Sequence, residues 1–396
     1  MNHFFVSPRG PESSWIASMS INVISSRKNN MASKLKIALV HDWLMALGGA
    51  EKTLREMHRL FPEAPIFTLF RSEKFTNAFL PQAKIKTTFL QKSVQRGRRY
   101  RTLLPLMGTA VESIDLSGYD IVISSSASFT KGVITDPQTK HICYCYSPTR
   151  FLWDWHAEYK RQNRYGLISA LAQHTIRFWD QQAAQRPDYM VAISKTVQAR
   201  IKKYYRRDSE VIYPPVDFIP PTQNQHPQQQ PFYLIVSRLY AHKNIDIAIQ
   251  AFNKLGHNLV IIGDGPERKN LEKQSGANIT FLGFLDDSAV HDYYSKCLAF
   301  IMPQEEDFGL TPIEAMFHGR PVLALNRGGA KEYILENING EFFQSPTPEV
   351  LADGVRRLSE NLATYSPELI KKTANRFTVK RFHSEFKALV DKIARE

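Results

Sequence analysis

Short apolar runs alternate with segments of helical period along most of this 396-residue chain. That alternation predicts α/β architecture with parallel sheets. The first unit is a strand over Lys36-Ile-Ala-Leu-Val40, a loop over His41–Gly49 and a helix running through Leu60. Further strands are expected over Tyr119–Ser125, His141–Tyr146, Asp188–Ile193 and Val211–Tyr213. From Pro214 to Pro231 the chain carries PPVDFIPP and QHPQQQP with no periodicity, the best boundary between domains. A second series follows: strand Phe232–Ser237, a helix from about Lys243 to Leu255, strand Asn258–Ile262 and the turn Gly263-Asp-Gly-Pro266 into another helix. Strands at Ile279–Leu282, Cys297–Met302 and Pro321–Leu325 continue it, and two further helices complete it. Phe377, Val379, Phe382, Phe386, Leu389, Val390 and Ile393 then mark an amphipathic C-terminal helix.

Pro303 ends the Cys297–Met302 strand, and two carboxylates, Glu306 and Glu314, flank the glycine turn that follows. Beyond Gly309, residues Leu310, Ile313, Ala315, Met316 and Phe317 form a helical core face, with Thr311 and Pro312 in its first turn. A strand end, a glycine loop and a helix start make an anion site, because backbone N–H groups point outward there. Arg238 and Lys243 lie just past the first strand of the second series, where a diphosphate would sit. Arg offers a bidentate fork and Lys a point charge, although either could be a plain surface residue. Gly48-Gly49 gives the first series a loop of close approach, or simply a turn. Gly263-Asp-Gly265 and Gly328-Gly329 are open to the same two readings.

The length exceeds what one core fills, so two domains are expected. At 22% charged and 43% hydrophobic residues the chain is globular and not disordered, and no apolar stretch reaches the roughly 20 residues that span a bilayer. Cys143, Cys145 and Cys297 are an odd number without metal-ligand spacing, which favours buried thiols in a reducing cytoplasm. The net charge of +13 is concentrated. Residues 71–110 hold nine Lys and Arg, including Lys84, Lys86, Lys92, Arg96 and Arg101, against Glu73 alone. Such a patch suits an anionic membrane, a phosphorylated substrate or plain solvent; nucleic acid ranks last because no recognition motif accompanies it. Residues 1–33, rich in Ser and Asn, are expected to be a disordered extension outside the fold, with Met31 an alternative start. No G-x-S-x-G, H-E-x-x-H, P-loop or paired C-x-x-C occurs, and G-x-G-x-x-G is absent after Val40. The histidines lack ligand spacing and there is no D-x-D, so no metal is expected.

With these motifs in place the chain resembles the family-four retaining glycosyltransferases (glycosyl transferases group 1) of GT-B fold, over about residues 34–396. The E-x7-E signature is Glu306-Asp-Phe-Gly-Leu-Thr-Pro-Ile-Glu314. It is supported by SRL-x3-KN (Ser237–Asn244), GDGP (Gly263–Pro266), FLGFL (Phe281–Leu285) and Tyr213-Pro-Pro-Val-Asp217. HDWLMALGGAEK, YDIVISSSASFTKGV and ICYCYSPTRFLWD resemble the branch that builds O-antigen, capsule and exopolysaccharide, many of whose members are mannosyltransferases. The resemblance implies two doubly wound Rossmann-like domains facing across a cleft. Residues 34–217 would bind acceptor, 218–231 would link, 232–376 would bind the nucleotide sugar, and the helix 377–396 would cross back to the first domain.

It also implies roles. Arg238 and Lys243 would hold the donor diphosphate with the N–H groups at Gly309, Leu310 and Thr311, and Gly263 would line that site. Glu314 would take the ribose hydroxyls and Glu306 the hydroxyls of the transferred sugar, in a pocket shaped by Phe308 and Gly309. The backbone at Phe284 and Leu285 would read the base, while Gly48 and Gly49 would approach phosphates and acceptor. Tyr146 stands where relatives often carry a His that contacts the donor sugar, and Ala127 replaces another. The implied reaction is front-face substitution with retention, in which Glu306, Arg238 and Lys243 count as catalytic and neither cofactor nor metal takes part. The donor would be a GDP- or UDP-hexose, mannose favoured, and the acceptor a glycan or lipid-linked glycan. The setting would be cytoplasmic, with peripheral contact to an anionic membrane and no nucleic-acid partner. The alternatives are a glycan-binding scaffold that has lost turnover, suggested by Tyr146 and Ala127, and a GT-B epimerase.

Overall fold

Runs such as Ile121-Val-Ile-Ser-Ser-Ser126 and Leu259-Val-Ile-Ile262 are buried at every position, as strands covered on both faces must be. In the computed structural model, which describes residues 35–97, 100–154, 167–221 and 230–396, they assemble into two parallel sheets. The expected extension 1–33 and most of the Gln-rich linker lie outside the described residues. The first sheet holds β1 (Ile37–His41), β2 (Ile66–Thr68), β3 (Ile85–Thr87), β4 (Ile121–Ser126), β5 (Lys140–Cys145), β6 (Tyr189–Ala192) and β7 (Glu210–Val211), in the order β3-β2-β1-β4-β5-β6-β7. The second holds β8 (Tyr233–Val236), β9 (Leu259–Ile262), β10 (Ile279–Gly283), β11 (Phe300–Met302), β12 (Val322–Leu325) and β13 (Gly340–Phe343), in the order β10-β9-β8-β11-β12-β13.

Each sheet therefore reverses its winding once, between β1 and β4 and between β8 and β11. Doubly wound sheets bind ligands at the carboxyl edge of such a switch point, because loops from the two strands diverge there and leave a crevice. Helix Val379–Ile393 follows the second sheet in sequence but packs on the first. Phe382 and Phe386 set their edges on Tyr144 of β5 at 5.9 and 5.8 Å, and His383 Nε2 lies 3.2 Å from Glu56 Oε2. The Val216 N–H, donating to the Phe377 carbonyl at 2.8 Å, fixes the crossing. This is the GT-B arrangement: two Rossmann-like halves with the last helix returning to the first.

Three strands escaped the hydrophobic pattern. β2 and β3 are three residues each, and β3 is an edge strand with Lys86 and Thr87 exposed, so neither shows a run or an alternation. β13 begins on Gly340, which depresses its strand signal; a Cβ there would collide with the Val322 carbonyl. The expected helix from Lys243 is in fact a 3-10 turn, Ala241–Lys243, followed by helix Ile245–Leu255. Asn244 separates them at φ +51°, a left-handed conformation that Asn tolerates better than most residues. That break turns Lys243 out of the helix.

Candidate functional site

The switch point of the second sheet gathers one half of the site. β11 ends at Met302, and Gly309, at φ +94°, turns the chain into helix Leu310–Phe317. A Cβ at Gly309 would stand 2.8 Å from the Tyr333 hydroxyl, so glycine is required twice over, by conformation and by space. No side chain caps this helix, and its first-turn N–H groups retain the character of an anion site. The Gly329 N–H donates to the Glu306 carbonyl at 2.9 Å, and a Cβ on Gly329 would meet the Phe308 backbone, so the second glycine pair braces the motif loop.

Glu306 Oε1 accepts from Lys243 Nζ and, at 2.9 Å, from Gln304 Nε2. Burial pushes this carboxyl up, but the Lys243 charge and the two hydrogen bonds outweigh it and hold Glu306 below the ordinary carboxylate range. Asn244, donating to the Pro303 carbonyl at 3.3 Å, ties the two loops together. Arg238 is exposed just past β8, its guanidinium 5.8 Å from the Tyr240 ring. Gly263, at φ +131°, lies directly against the Ser237 carbonyl. Phe284, past β10, is 75% exposed, while Leu285 beside it is half-buried.

Glu314 is held differently. Its Oε2 accepts from the Tyr294 hydroxyl at 2.9 Å, and its Oε1 from Lys52 Nζ at 3.2 Å. Lys52 belongs to helix Gly49–Leu60 of the first half and also reaches Asp287 Oδ1 at 3.2 Å. Burial draws the Lys52 pKa down, but the Glu314 and Asp287 charges more than offset that and raise it above its usual value. A Cβ on Gly49 would lie 2.9 Å from Leu310 Cδ1, so the two helix starts, one from each half, face each other at contact distance. Behind Glu314, Tyr294 stacks on His318 at 6.0 Å, and His318 Nε2 lies 2.8 Å from His291 Nδ1. Burial, then the charge of His291, hold the His318 imidazole down to about 4.

Tyr146 lies beneath the glycine loop. Its hydroxyl donates to the Ala50 carbonyl at 3.0 Å and pairs with Ser125 Oγ at 2.8 Å, and Ser125 Oγ in turn meets His41 Nδ1 at 3.0 Å. Burial raises this phenol well above its usual pKa. Beside it, Asp42 accepts four backbone N–H groups, from Ala127, Ser128, Phe129 and Thr130, at 2.7 to 2.9 Å. It thereby stitches the loop after β1 to the loop after β4 at the first switch point.

Among the sequence-derived candidates, then, Glu306, Lys243, Phe308, Gly309, Leu310 and Thr311 converge around one strand end. Gly49 meets them through Leu310, while Gly48 lies against Glu51 of its own helix, and Arg238, Gly263, Phe284 and Leu285 line the same edge farther out. Lys52, Tyr294, Gln304 and Asp42 were missed. Lys52 had a signal, since it follows the Gly48-Gly49 pair; Tyr294 had none, because its partner Glu314 is 20 residues away in the next helix. Among the described residues no three His, Cys, Asp or Glu side chains could hold a metal ion.

Next to Glu306 a cavity of about 750 Å3 opens between the halves. Arg150, Asp154, Arg200, Lys203 and Tyr204 line it from the first half, and Ala241, His242, Asn244, Glu305, Leu325, Arg327 and Pro346 from the second. Arg200 pairs with Asp154 at 2.7 Å, with Glu305 at 2.8 Å and with Asp307, while Arg150 lies 3.4 Å from Asp307. Ser194 Oγ, donating to the Asp307 carbonyl at 2.7 Å, adds a further tie between the halves.

Residues 220–392 match the family model described as glycosyl transferases group 1. The chain carries a glycosyl transferases group 1 domain. It is 26% identical over 376 residues to the alpha-1,3/1,6-mannosyltransferase ALG2 of Candida glabrata, with 77% of this chain and 79% of that protein covered. It is also 26% identical over 190 residues to the uncharacterized glycosyltransferase MJ1178 of Methanocaldococcus jannaschii, covering 47% of this chain and about half, 53%, of that relative. Among solved structures, Anabaena Alr3699/HepE in complex with UDP and glucose is similar with a TM-score of 0.69 and 19% identity, over 90% of this chain and 100% of that one. The matched segment contains Arg238, Lys243, Glu306 and Glu314, so all four lie inside the glycosyl transferases group 1 domain.

Proposed function

We propose that the protein transfers a hexose, mannose in the first instance, from a nucleoside-diphosphate sugar to a glycan or lipid-linked glycan, with retention and without a metal. The observation that carries this is the meeting of Glu306, Lys243 and an uncapped helix start at the second switch point. An acid that grips hydroxyls there stands beside a cation and N–H groups suited to a diphosphate. The donor runs along the carboxyl edge, its base past β10 near Phe284, its ribose on Glu314, its diphosphate at Arg238, Lys243 and Gly309–Thr311, and its sugar on Glu306.

The acceptor hydroxyl oxygen attacks C1 of that sugar on the face from which the diphosphate leaves. The C1–oxygen bond to phosphate breaks, and the hydroxyl proton passes to the departing phosphate oxygen. Catalysis is then positioning plus neutralisation of leaving-group charge by Arg238, Lys243 and backbone N–H groups. Mannose is favoured by the similarity to ALG2. Tyr146, tied to Ala50 and Ser125, shapes the sugar side through the glycine loop. A thermal-shift screen of GDP-mannose, UDP-glucose and their nucleotides should give a rise with one of them, because a ligand specific to the native state stabilises it by mass action. No rise with any, together with no donor-dependent release of nucleoside diphosphate, would favour the scaffold reading.

The protein is also proposed to sit on an anionic membrane. Phe89 is exposed within the basic stretch that includes Lys86, Lys92 and Arg96, a combination suited to an acidic interface. Among the described residues no helix is long and apolar enough to cross a membrane. Binding to phosphatidylglycerol vesicles that ignores salt would remove the electrostatic part of this proposal.

A further inference from the structure

The order of strands at the second sheet's carboxyl edge is β10-β9-β8-β11-β12-β13, and the candidate donor residues follow it. Phe284 comes after β10, Gly263 after β9, Arg238 after β8 and Glu306 after β11. The cavity continues the line: Leu325 and Arg327 close β12, and Pro346 follows β13. A donor laid along this edge, as proposed above, would end its sugar at the near wall of the cavity, which Glu305, beside Glu306, provides. The next molecule along the line is the acceptor.

The charges lining the cavity indicate what kind of acceptor. Arg150, Arg200, Lys203 and Arg327 stand against two lining carboxylates, Asp154 and Glu305, and Arg200 engages both. Arg150 is drawn to Asp307 just behind the wall. Lys203 and Arg327 are exposed, make no ion pair with the described carboxylates, and come from opposite halves. Tyr204, stacked on Trp153 at 5.1 Å, adds a rigid aromatic wall beside Lys203. The volume lies in the range of small-ligand sites.

We propose that this cavity is an acceptor subsite for an acidic glycan, with Lys203 and Arg327 pairing to a carboxylate or phosphate on the sugar that receives the transfer. The pairing needs both halves of the molecule, so an acidic acceptor would also favour the closed cleft. The inference rests on the transferase reading for its biological meaning, but binding of an acidic sugar can be measured without any donor.

The probes are glucuronic acid, glucose 1-phosphate and methyl glucoside, titrated by ligand-observed NMR against the full chain, its Lys203→Gln and Arg327→Gln variants, and the double variant. Both exchanged residues are exposed, and an unchanged melting curve verifies folding. At least one acidic sugar should bind roughly tenfold tighter than methyl glucoside, and each variant should take away about threefold of that preference, as expected of partly exposed ion pairs. Retention of the preference for glucuronic acid alone assigns a uronate, and for glucose 1-phosphate alone a sugar phosphate or lipid-diphosphate end. Equal binding of acidic and neutral sugars, or a preference that survives the double variant, overturns the proposal. Acidic-sugar selectivity without any nucleotide binding would leave the subsite standing while the transferase reading fails.

Discussion

Glu306 and Glu314 mark the two ends of one motif, yet the structure holds them in different ways. Glu306 is fastened within its own half by Lys243 and Gln304, both from loops of the same switch point. Glu314 is fastened across the cleft: Lys52 arrives from the first half, and Tyr294 braces the other oxygen from behind. The first carboxylate is thus set before the halves meet, and the second is completed only when they do. On the proposed reading the two acids of one motif would serve different steps, one orienting the sugar and the other coupling nucleotide binding to the apposition of the halves.

The largest effect that tests this contrast is on turnover. Glu306→Gln is expected to lower the rate of nucleoside-diphosphate release by roughly 100- to 1,000-fold, the scale for losing one placed polar group, while calorimetric affinity for the free nucleotide hardly moves. Glu314→Ala should do the reverse, weakening nucleotide affinity roughly tenfold or more through loss of a charged hydrogen-bond acceptor. Identical profiles for the two variants would erase the distinction.

A smaller effect should appear in stability. In a double-mutant cycle with Lys52→Met and Glu314→Gln, chemical denaturation should give a coupling of about 1 kcal/mol, since the pair is partly buried and spans the halves. A coupling of zero would make the Lys52 contact incidental. The same cycle on Lys243 and Glu306 should be larger, because the Glu306 variant strands Lys243, the more buried of the two lysines, without its partner.

The smallest effect concerns pH. His318, behind Glu314, stays neutral in the folded protein down to about 4, whereas an unfolded histidine takes up a proton near 6.5. Between these values the unfolded chain binds more protons, so this residue's contribution to stability is present above 6.5 and declines as pH falls toward 4. His318→Asn should flatten the stability-pH curve in that window, read by thermal melts; no flattening would mean that the His291–His318 pair is not the acid-sensitive element behind Glu314.

Much of the fold was legible because both-face-buried strands write themselves as unbroken apolar runs. β8, β9 and β12 stand out that way, while β2 and β3 are too short to do so and β13 is disguised by its leading glycine. The candidate residues clustered at Glu306 were legible for a related reason, since one strand end, one glycine and one helix start adjoin in sequence. Lys52 and Tyr294 were not, because nothing local distinguishes a lysine that pairs with a carboxylate 262 positions away.

What the sequence determined by itself was the alternation of strands and helices, the two-domain division, and the local machinery of the Glu306 loop, all set by short-range sterics and burial. The acidic partner chosen by Lys52, the tying of Tyr146 beneath the glycine loop, and the charged cavity between the halves were decided only by tertiary structure. Each depends on groups that are far apart along the chain and meet only when two independently wound sheets, clasped by the returning C-terminal helix, bring their carboxyl edges together.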